Sequence, residues 1–175
     1  GLFKRLFDVI VSGLLLIVFV PVWLLVPILI KLDSQGDVLF KYLDNGSVVK
    51  RVGFRGQLFY MLKYRTMRPK SHDMRYEQLS NKNSREDSPL VKITDDPRVT
   101  KLGKFLRRYD IDELPQLWNV FKGDMSLIGP RPERPEIDER LILEIPFYKL
   151  RYLYKPGLSG WAQVNYPYAS SIEDT

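Results

Sequence analysis

Residues 9–30 read VIVSGLLLIVFVPVWLLVPILI, an uncharged run held between Asp8 and Lys31. About 20 apolar residues are enough for a helix to cross a bilayer. The length of the run, and the lack of a small-residue cleavage site before Lys31, set it apart from a secretory signal peptide. Pro21 stands near its middle and Pro27 follows. A proline removes a backbone donor and clashes with the preceding turn, so the spacing predicts a bend near Pro21 and two halves each too short to span. Lys4 and Arg5 precede the run, and Lys31, Lys41, Lys50, Arg51 and Arg55 follow it. By the positive-inside rule both ends then belong on the cytoplasmic side. A re-entrant helix-break-helix over residues 1–33 meets both conditions. A kinked single span is the alternative, since neighbouring helices tolerate proline in true spans.

The remaining residues, 34–175, are enough for one ordinary core. Lysine and arginine number 27 against 21 acidic residues, a formal charge of +6, which calls for an anionic partner. No nucleic-acid motif is present, so the charge is assigned to lipid and phosphate. There is no cysteine and His72 is the single histidine. Disulfides, thiolate chemistry and histidine-rich metal sites are thereby excluded, and any metal is expected to be a hard ion held by carboxylates and substrate oxygens. The first residue is Gly, consistent with a piece of a longer chain.

Residues 33–36 read as a turn. Residues 38–67 mix β-favouring residues with the turn signals Asp44-Asn45-Gly46 and 53–56, which predicts a small hairpin or short sheet. Residues 69–88 are polar and read as a loop, in which His72 is solvated and without a catalytic role. Leu102, Phe105, Leu106 and Tyr109 repeat at helical spacing, as do Leu114, Leu117, Trp118 and Phe121. A third helix is expected over 136–154, broken or bent at Pro146. Such stripes serve as core, but flanking basic residues also suit helices lying in a membrane interface. The fold class is therefore α+β, mainly α with a small β-hairpin or sheet.

Residues 110–133 read DIDELPQLWNVFKGDMSLIGPRPE and carry the chemistry. Asp112 and Glu113 are adjacent carboxylates where a helix is expected to begin, with Pro115 acceptable in its first turn. Asp110 and Glu113 also fit a capping box, an ordinary use of acidic residues at helix starts. The functional alternative rests on the surrounding phosphate-binding candidates: Lys63 and Arg65 in Lys63-Tyr64-Arg65-Thr66-Met67, Arg98, Arg107 with Arg108, and Arg131. Proline on both sides of Arg131 limits its backbone and presents its fork of donors to a diphosphate.

These motifs, in this order, resemble the bacterial sugar transferase family, also called monotopic phosphoglycosyl transferases or polyprenyl-phosphate sugar-1-phosphate transferases. The likeness runs through Lys4-Arg5 with Asp8, Pro21 as helix breaker, and residues 36–40, 63–67, 96–103, 112–116, 119–132 and 155–165. Residues 146–175 are most similar to the long members, in which further segments precede the catalytic unit. Two departures stand out. Residues 42–50 look like an added hairpin, and the chain stops short of the closing segment of the long members.

The resemblance implies a re-entrant membrane helix followed by a compact cytoplasmic catalytic domain with interfacial amphipathic helices, on the bacterial inner membrane. It implies transfer of a sugar-1-phosphate from a nucleotide (UDP-) sugar to polyprenyl phosphate, as the initiating step of surface glycoconjugate synthesis. Asp112 would be the nucleophile, forming an aspartyl-phosphosugar. Glu113 would bind Mg²⁺ with Asp112 or assist the lipid phosphate, while Lys63, Arg98, Arg107 and Arg131 would hold phosphates. Direct transfer in a ternary complex, with the two carboxylates only as metal ligands, is the enzymatic rival. A membrane-anchored lipid- or partner-binding module is the non-enzymatic one. Homo-oligomerisation is left open, as are the sugar and the glycoconjugate.

Overall fold

A computed structural model describes residues 1–71, 74 and 96–165. The apolar run forms two helices, α1 (Leu2–Val18) and α2 (Val20–Asp33), bent by 61° at Phe19. No single helix is long and apolar enough to cross a membrane, whereas the bent pair passes that test together. The bend falls just ahead of Pro21, which occupies the first turn of α2, where its missing N–H costs nothing. The indole N–H of Trp23 donates to the Leu16 carbonyl at 3.0 Å and satisfies an acceptor that the break would otherwise leave open. Pro27 lies inside α2 without ending it.

Both helices turn large apolar side chains outward, among them Phe7, Ile10 and Leu14 on α1 and Leu24, Leu25 and Ile28 on α2. The polar positions of α1 face inward. Asp8 and Ser12 are buried, and the Asp8 carboxylate accepts from Ser126 Oγ at 2.8 Å and from the Leu127 N–H at 3.1 Å. Arg5 donates to the carbonyls of Val120 (2.6 Å) and Phe121 (2.7 Å) near the end of a later helix, which satisfies acceptors left open there. On α2 the inward side chains Val26 and Ile30 join Tyr64 and Leu106 in the core. Arg65 fastens the helix exit, donating to Ser34 Oγ at 2.7 Å, to the Ser34 carbonyl at 2.8 Å and to the Asp37 carbonyl.

The predicted strand region holds an antiparallel pair, β1 (Arg51–Val52) and β2 (Leu58–Phe59), with Arg51 opposite Phe59. The hairpin expected at 42–50 is closed by the Asp44-Asn45-Gly46 turn and a single bridge between Tyr42 and Val48. A second pair, which the sequence pattern did not reveal, is parallel: β3 (Ser126–Ile128) beside β4 (Gly157–Ser159). A Cβ on Gly157 would come within 2.1 Å of the Gly129 N, so this approach admits only glycine.

The two amphipathic stripes divide between core and surface. On α3 (Lys101–Arg108) Leu106 is buried while Phe105 is exposed, as is Tyr109 just beyond the helix. On α4 (Gln116–Lys122) Leu117 is buried, and Trp118 and Phe121 are turned out with their rings stacked at 5.7 Å. The helix expected over 136–154 is broken around Pro146 into α5 (Pro135–Glu144) and a 3₁₀ segment, Tyr148–Leu153. A short α6 (Trp161–Asn165) follows β4. His72 and most of the polar loop read over 69–88 lie outside the described residues.

The close seat of α3 is set by Gly103. Thr100 caps the helix, accepting from the Gly103 N–H at 2.9 Å, and a Cβ on Gly103 would stand 2.1 Å from the Thr66 carbonyl oxygen. Gly103→Ala therefore forces α3 away from the extended segment 60–67, which carries Lys63. We expect a loss of about 1 to 3 kcal/mol in unfolding free energy by denaturant titration, despite the better helix propensity of alanine.

Candidate active site

The site is assembled from three segments. Asn119, 3% exposed on α4, accepts from the Leu62 N–H at 2.9 Å and donates to the Tyr60 carbonyl at 2.7 Å. The Tyr64 N–H donates to the Asp112 carbonyl at 2.8 Å. With residues 62 and 64 both held, Lys63 is fixed between them. Its ammonium lies 2.9 Å from Asp112 Oδ2 and 2.9 Å from Glu113 Oε1.

Asp112 and Glu113 occupy a 3₁₀ turn, Ile111–Glu113, that precedes α4; Pro115 is the N-cap of that helix. Asp110 is in the left-handed region at φ 53° and its side chain makes no capping bond. The capping-box alternative is therefore not realised. Asp112 is 1% exposed, and its buried Oδ2 accepts no hydrogen bond, so the Lys63 contact is an ion pair alone. On the other side of Glu113, Arg131 Nη2 approaches Oε1 at 3.7 Å, with its own side chain half exposed. The Arg131 carbonyl accepts from Arg151, which steadies the Pro130-Arg131-Pro132 segment.

Burial is the largest influence on the Glu113 carboxyl and opposes its ionisation. The charges of Lys63 and then Arg131 outweigh it and hold Glu113 below the usual 4.5. Burial lowers the Arg107 guanidinium, against the attraction of Asp112 and Asp96. For Glu133 burial prevails over Arg51, Arg131 and Arg151, and its carboxyl is raised.

Beside the acidic pair opens a cleft of about 190 Å³. Of the residues singled out from sequence, Lys63, Arg98 and Arg107 line it. Arg98 is buried and also gripped by Asp96, at 2.8 Å through Nε and 2.6 Å through Nη2. Arg107 gives its Nε to Thr66 Oγ1 at 2.8 Å. Arg131 lines an adjoining recess with Glu113 and Gln116. Arg65 is placed elsewhere: its guanidinium is engaged at Ser34 and Asp37 and does not line the cleft. The exit of α2 lies beside it, and the Ser34 hydroxyl and carbonyl take its donors.

Two cleft arginines escaped the sequence reading. Arg51 was counted only as a flanking charge of the membrane run, and Arg134 lies just past the Arg131 motif. A backbone bond, Val52 N–H to the Glu133 carbonyl at 2.9 Å, brings them together. Asn119 was also missed as the clamp that aims Lys63, although it lies within the quoted motif. Among the described residues no cluster of three or more metal-ligating side chains occurs. Two adjacent carboxylates with an unbonded buried oxygen do suit a hard ion whose other ligands are substrate phosphates and water.

Across residues 1–175 the sequence matches the family described as bacterial sugar transferase. The chain belongs to that family. Among its relatives, a UDP-N-acetylgalactosamine-undecaprenyl-phosphate N-acetylgalactosaminephosphotransferase of Aeromonas hydrophila is 41% identical over 172 residues, covering 98% of this chain and 36% of the relative. A UDP-glucose:undecaprenyl-phosphate glucose-1-phosphate transferase of Caulobacter vibrioides is 42% identical, covering 92% of this chain and 53% of the relative. The exopolysaccharide production protein ExoY of Rhizobium meliloti is 36% identical, with 94% and 70% covered. The chain thus spans about a third to a half of the first two relatives' length. In this member of the family Lys63 links the acidic pair to the basic cleft.

Because the Glu113 carboxyl is depressed in the folded protein, its contribution to stability is complete above the usual 4.5 and is lost as the pH falls through the folded value. Denaturant midpoints measured between about pH 6 and pH 3 are expected to fall less steeply for Glu113→Gln than for the parent. Equal slopes would mean that Lys63 does not hold Glu113 in solution.

Proposed function

We propose that this chain transfers a sugar-1-phosphate from a nucleotide sugar, such as a UDP-sugar, to polyprenyl phosphate, with Asp112 as the nucleophile. The observation that carries this reading is the buried Asp112 carboxylate, paired with the Lys63 ammonium that it shares with Glu113, at the edge of a cleft lined with arginine. The relatives' names, which pair UDP-sugars with undecaprenyl phosphate, support the same pair of substrates.

In the first step a diphosphate enters the cleft and its oxygens draw the donors of Lys63, Arg107 and Arg131. Lys63 then releases Asp112, and Oδ2, already free of hydrogen bonds, attacks the phosphorus attached to the sugar. The bond from that phosphorus to the bridging oxygen breaks, the electron pair leaves with the nucleoside monophosphate, and the sugar-1-phosphate stays on Asp112 as an acyl phosphate. In the second step an oxygen of the lipid phosphate attacks the same phosphorus and the Asp112 carboxylate departs, giving the polyprenyl-diphosphate sugar. Glu113 sits beside the reacting oxygens, held anionic by Lys63 and Arg131, and orients the acceptor. Asp112 and Glu113 are also the groups that would hold Mg²⁺, which when bound offsets the charge of the diphosphate.

The bent α1–α2 pair, with its outward apolar faces, acts as a re-entrant element that keeps both ends on the cytoplasmic face of the bacterial inner membrane. The long lipid is thereby met at the surface where the soluble donor arrives. Phe105, Tyr109, Trp118 and Phe121, exposed beside basic residues, extend the contact along the interface.

Given nucleotide sugar but no lipid phosphate, the protein is expected to release about one equivalent of nucleoside monophosphate and to gain the mass of a sugar phosphate on a peptide containing Asp112. Asp112→Asn abolishes both signals. Product and adduct that wait for the lipid would instead establish direct transfer in a ternary complex, and full turnover by Asp112→Asn would refute covalent catalysis.

Topology is tested separately. The chain has no cysteine, so Leu2→Cys provides a single label. In the parent it reacts from the same side as Ser47→Cys in the exposed hairpin. Adding Pro21→Leu permits a continuous helix and moves the label to the opposite side. A label already opposite in the parent would overturn the re-entrant arrangement.

A further inference from the structure

The motifs account for Lys63, Arg107 and Arg131 but assign no role to Arg51, to Arg134 or to the hairpin at 42–50. All three meet in the cleft. The Val52–Glu133 backbone bond sets the two arginines side by side, Arg51 on β1 and Arg134 as the N-cap of α5. Arg134 pairs at 3.7 Å with the exposed Glu136, at the rim. Burial and the neighbouring Arg134 charge together lower the Arg51 guanidinium to about 10. Like charges held together where solvent is scarce repel each other, and an anion lodged between them offsets that cost. Arg51 also lines the recess containing Glu113 and Arg131, so it stands between the reacting carboxylates and the far part of the cleft.

Phe40 and Val49 supply an apolar wall of that cleft. Both belong to the base of the hairpin: the Phe40 N–H donates to the Lys63 carbonyl at 2.8 Å, and the Val49 N–H to the Lys41 carbonyl at 2.9 Å. The hairpin is therefore coupled by backbone to the extended segment that aims Lys63. Its tip, Asp44 to Ser47, is polar and exposed. A polar rim suits a water-soluble donor, whereas a polyprenyl chain needs an apolar track such as the outward faces of α1 and α2.

We propose that Arg51 and Arg134, with Phe40 and Val49 as the wall, form the subsite for the nucleoside-monophosphate half of the donor, the part that leaves. This rests on the transferase reading above and adds to it where the leaving group sits. The hairpin is then a specificity element: the diphosphate lies across Lys63 and Arg51, and Val49 bounds the space left for the nucleoside.

The test is equilibrium binding by calorimetry to the full chain in detergent, without turnover. The probes are UMP, uridine, inorganic phosphate and a short-chain isoprenyl phosphate. Arg134→Gln is expected to weaken UMP by about tenfold or more, the loss of a charge-assisted contact, and to leave isoprenyl phosphate unchanged. Val49→Trp, at a half-buried hairpin position, is expected to weaken UMP and uridine and to spare inorganic phosphate. Thermal melting of each variant checks that it is folded, and either variant alone suffices. Unchanged UMP affinity in a folded variant overturns the proposal. Loss of isoprenyl phosphate binding with UMP intact also overturns it and gives the subsite to the acceptor. If the parent forms the Asp112 adduct while these variants bind UMP normally, only the subsite fails; if the parent neither binds UMP nor forms the adduct, the transferase reading fails with it.

Discussion

Two carboxylates set side by side in a turn that buries one of them repel each other unless a cation stands between them. In this protein Lys63 is that cation, 2.9 Å from each. Much of the surrounding architecture serves to keep it there. Asn119 clamps the extended segment 60–67 on one side of Lys63, the Asp112 carbonyl binds it on the other, and α3 is seated against it through Gly103. The segment's backbone is thus held by the Asn119 side-chain amide, by the Asp112 carbonyl and by the close approach of α3. A lysine so placed stabilises the anionic pair while the site is empty and has three donors to offer an incoming phosphate.

The bent α1–α2 pair is tied to the same frame. Arg5 binds the last carbonyls of α4, and Asp8 binds the start of β3, so α1 is fixed to the helix that carries Asn119 and to the strand that leads to Arg131. At the other end Arg65 ties the exit of α2 to the extended segment that carries Lys63. Polar bonds of this kind, made where a largely apolar helix meets a polar domain, fix its orientation in a way that apolar packing alone does not. They also explain why α1, apolar on its outward side, keeps Asp8 buried.

The basic charge is distributed by function. Arg5 gives its donors to carbonyls and Arg65 to carbonyls and the Ser34 hydroxyl, Arg98 is shared between Asp96 and the cleft, and Arg131 remains half exposed at the mouth. Arg51 and Arg134 are held together against their mutual repulsion. A net charge of +6 therefore says little about where an anion binds until each cation's partners are known.

The sequence by itself determined the elements whose physics is local. A proline inside an apolar run announces a break, helical spacing announces α3 and α4, Asn-Gly announces the turn at 44–46, and two prolines fix Arg131. It also singled out Asp112, Glu113, Lys63, Arg98, Arg107 and Arg131, all six of which the fold gathers around the cleft or the acidic pair, with Arg98 shared with Asp96. Only the tertiary structure decided the rest. Whether Asp110 caps or not depended on a left-handed backbone angle, and whether Arg65 meets phosphate or a helix end depended on where α2 stops. The parallel pairing of β3 with β4, and of Arg51 with Arg134, joins segments far apart in the chain. Such contacts are chosen by the closure of the whole fold, through single backbone bonds and glycine approaches that leave no periodic trace in the sequence.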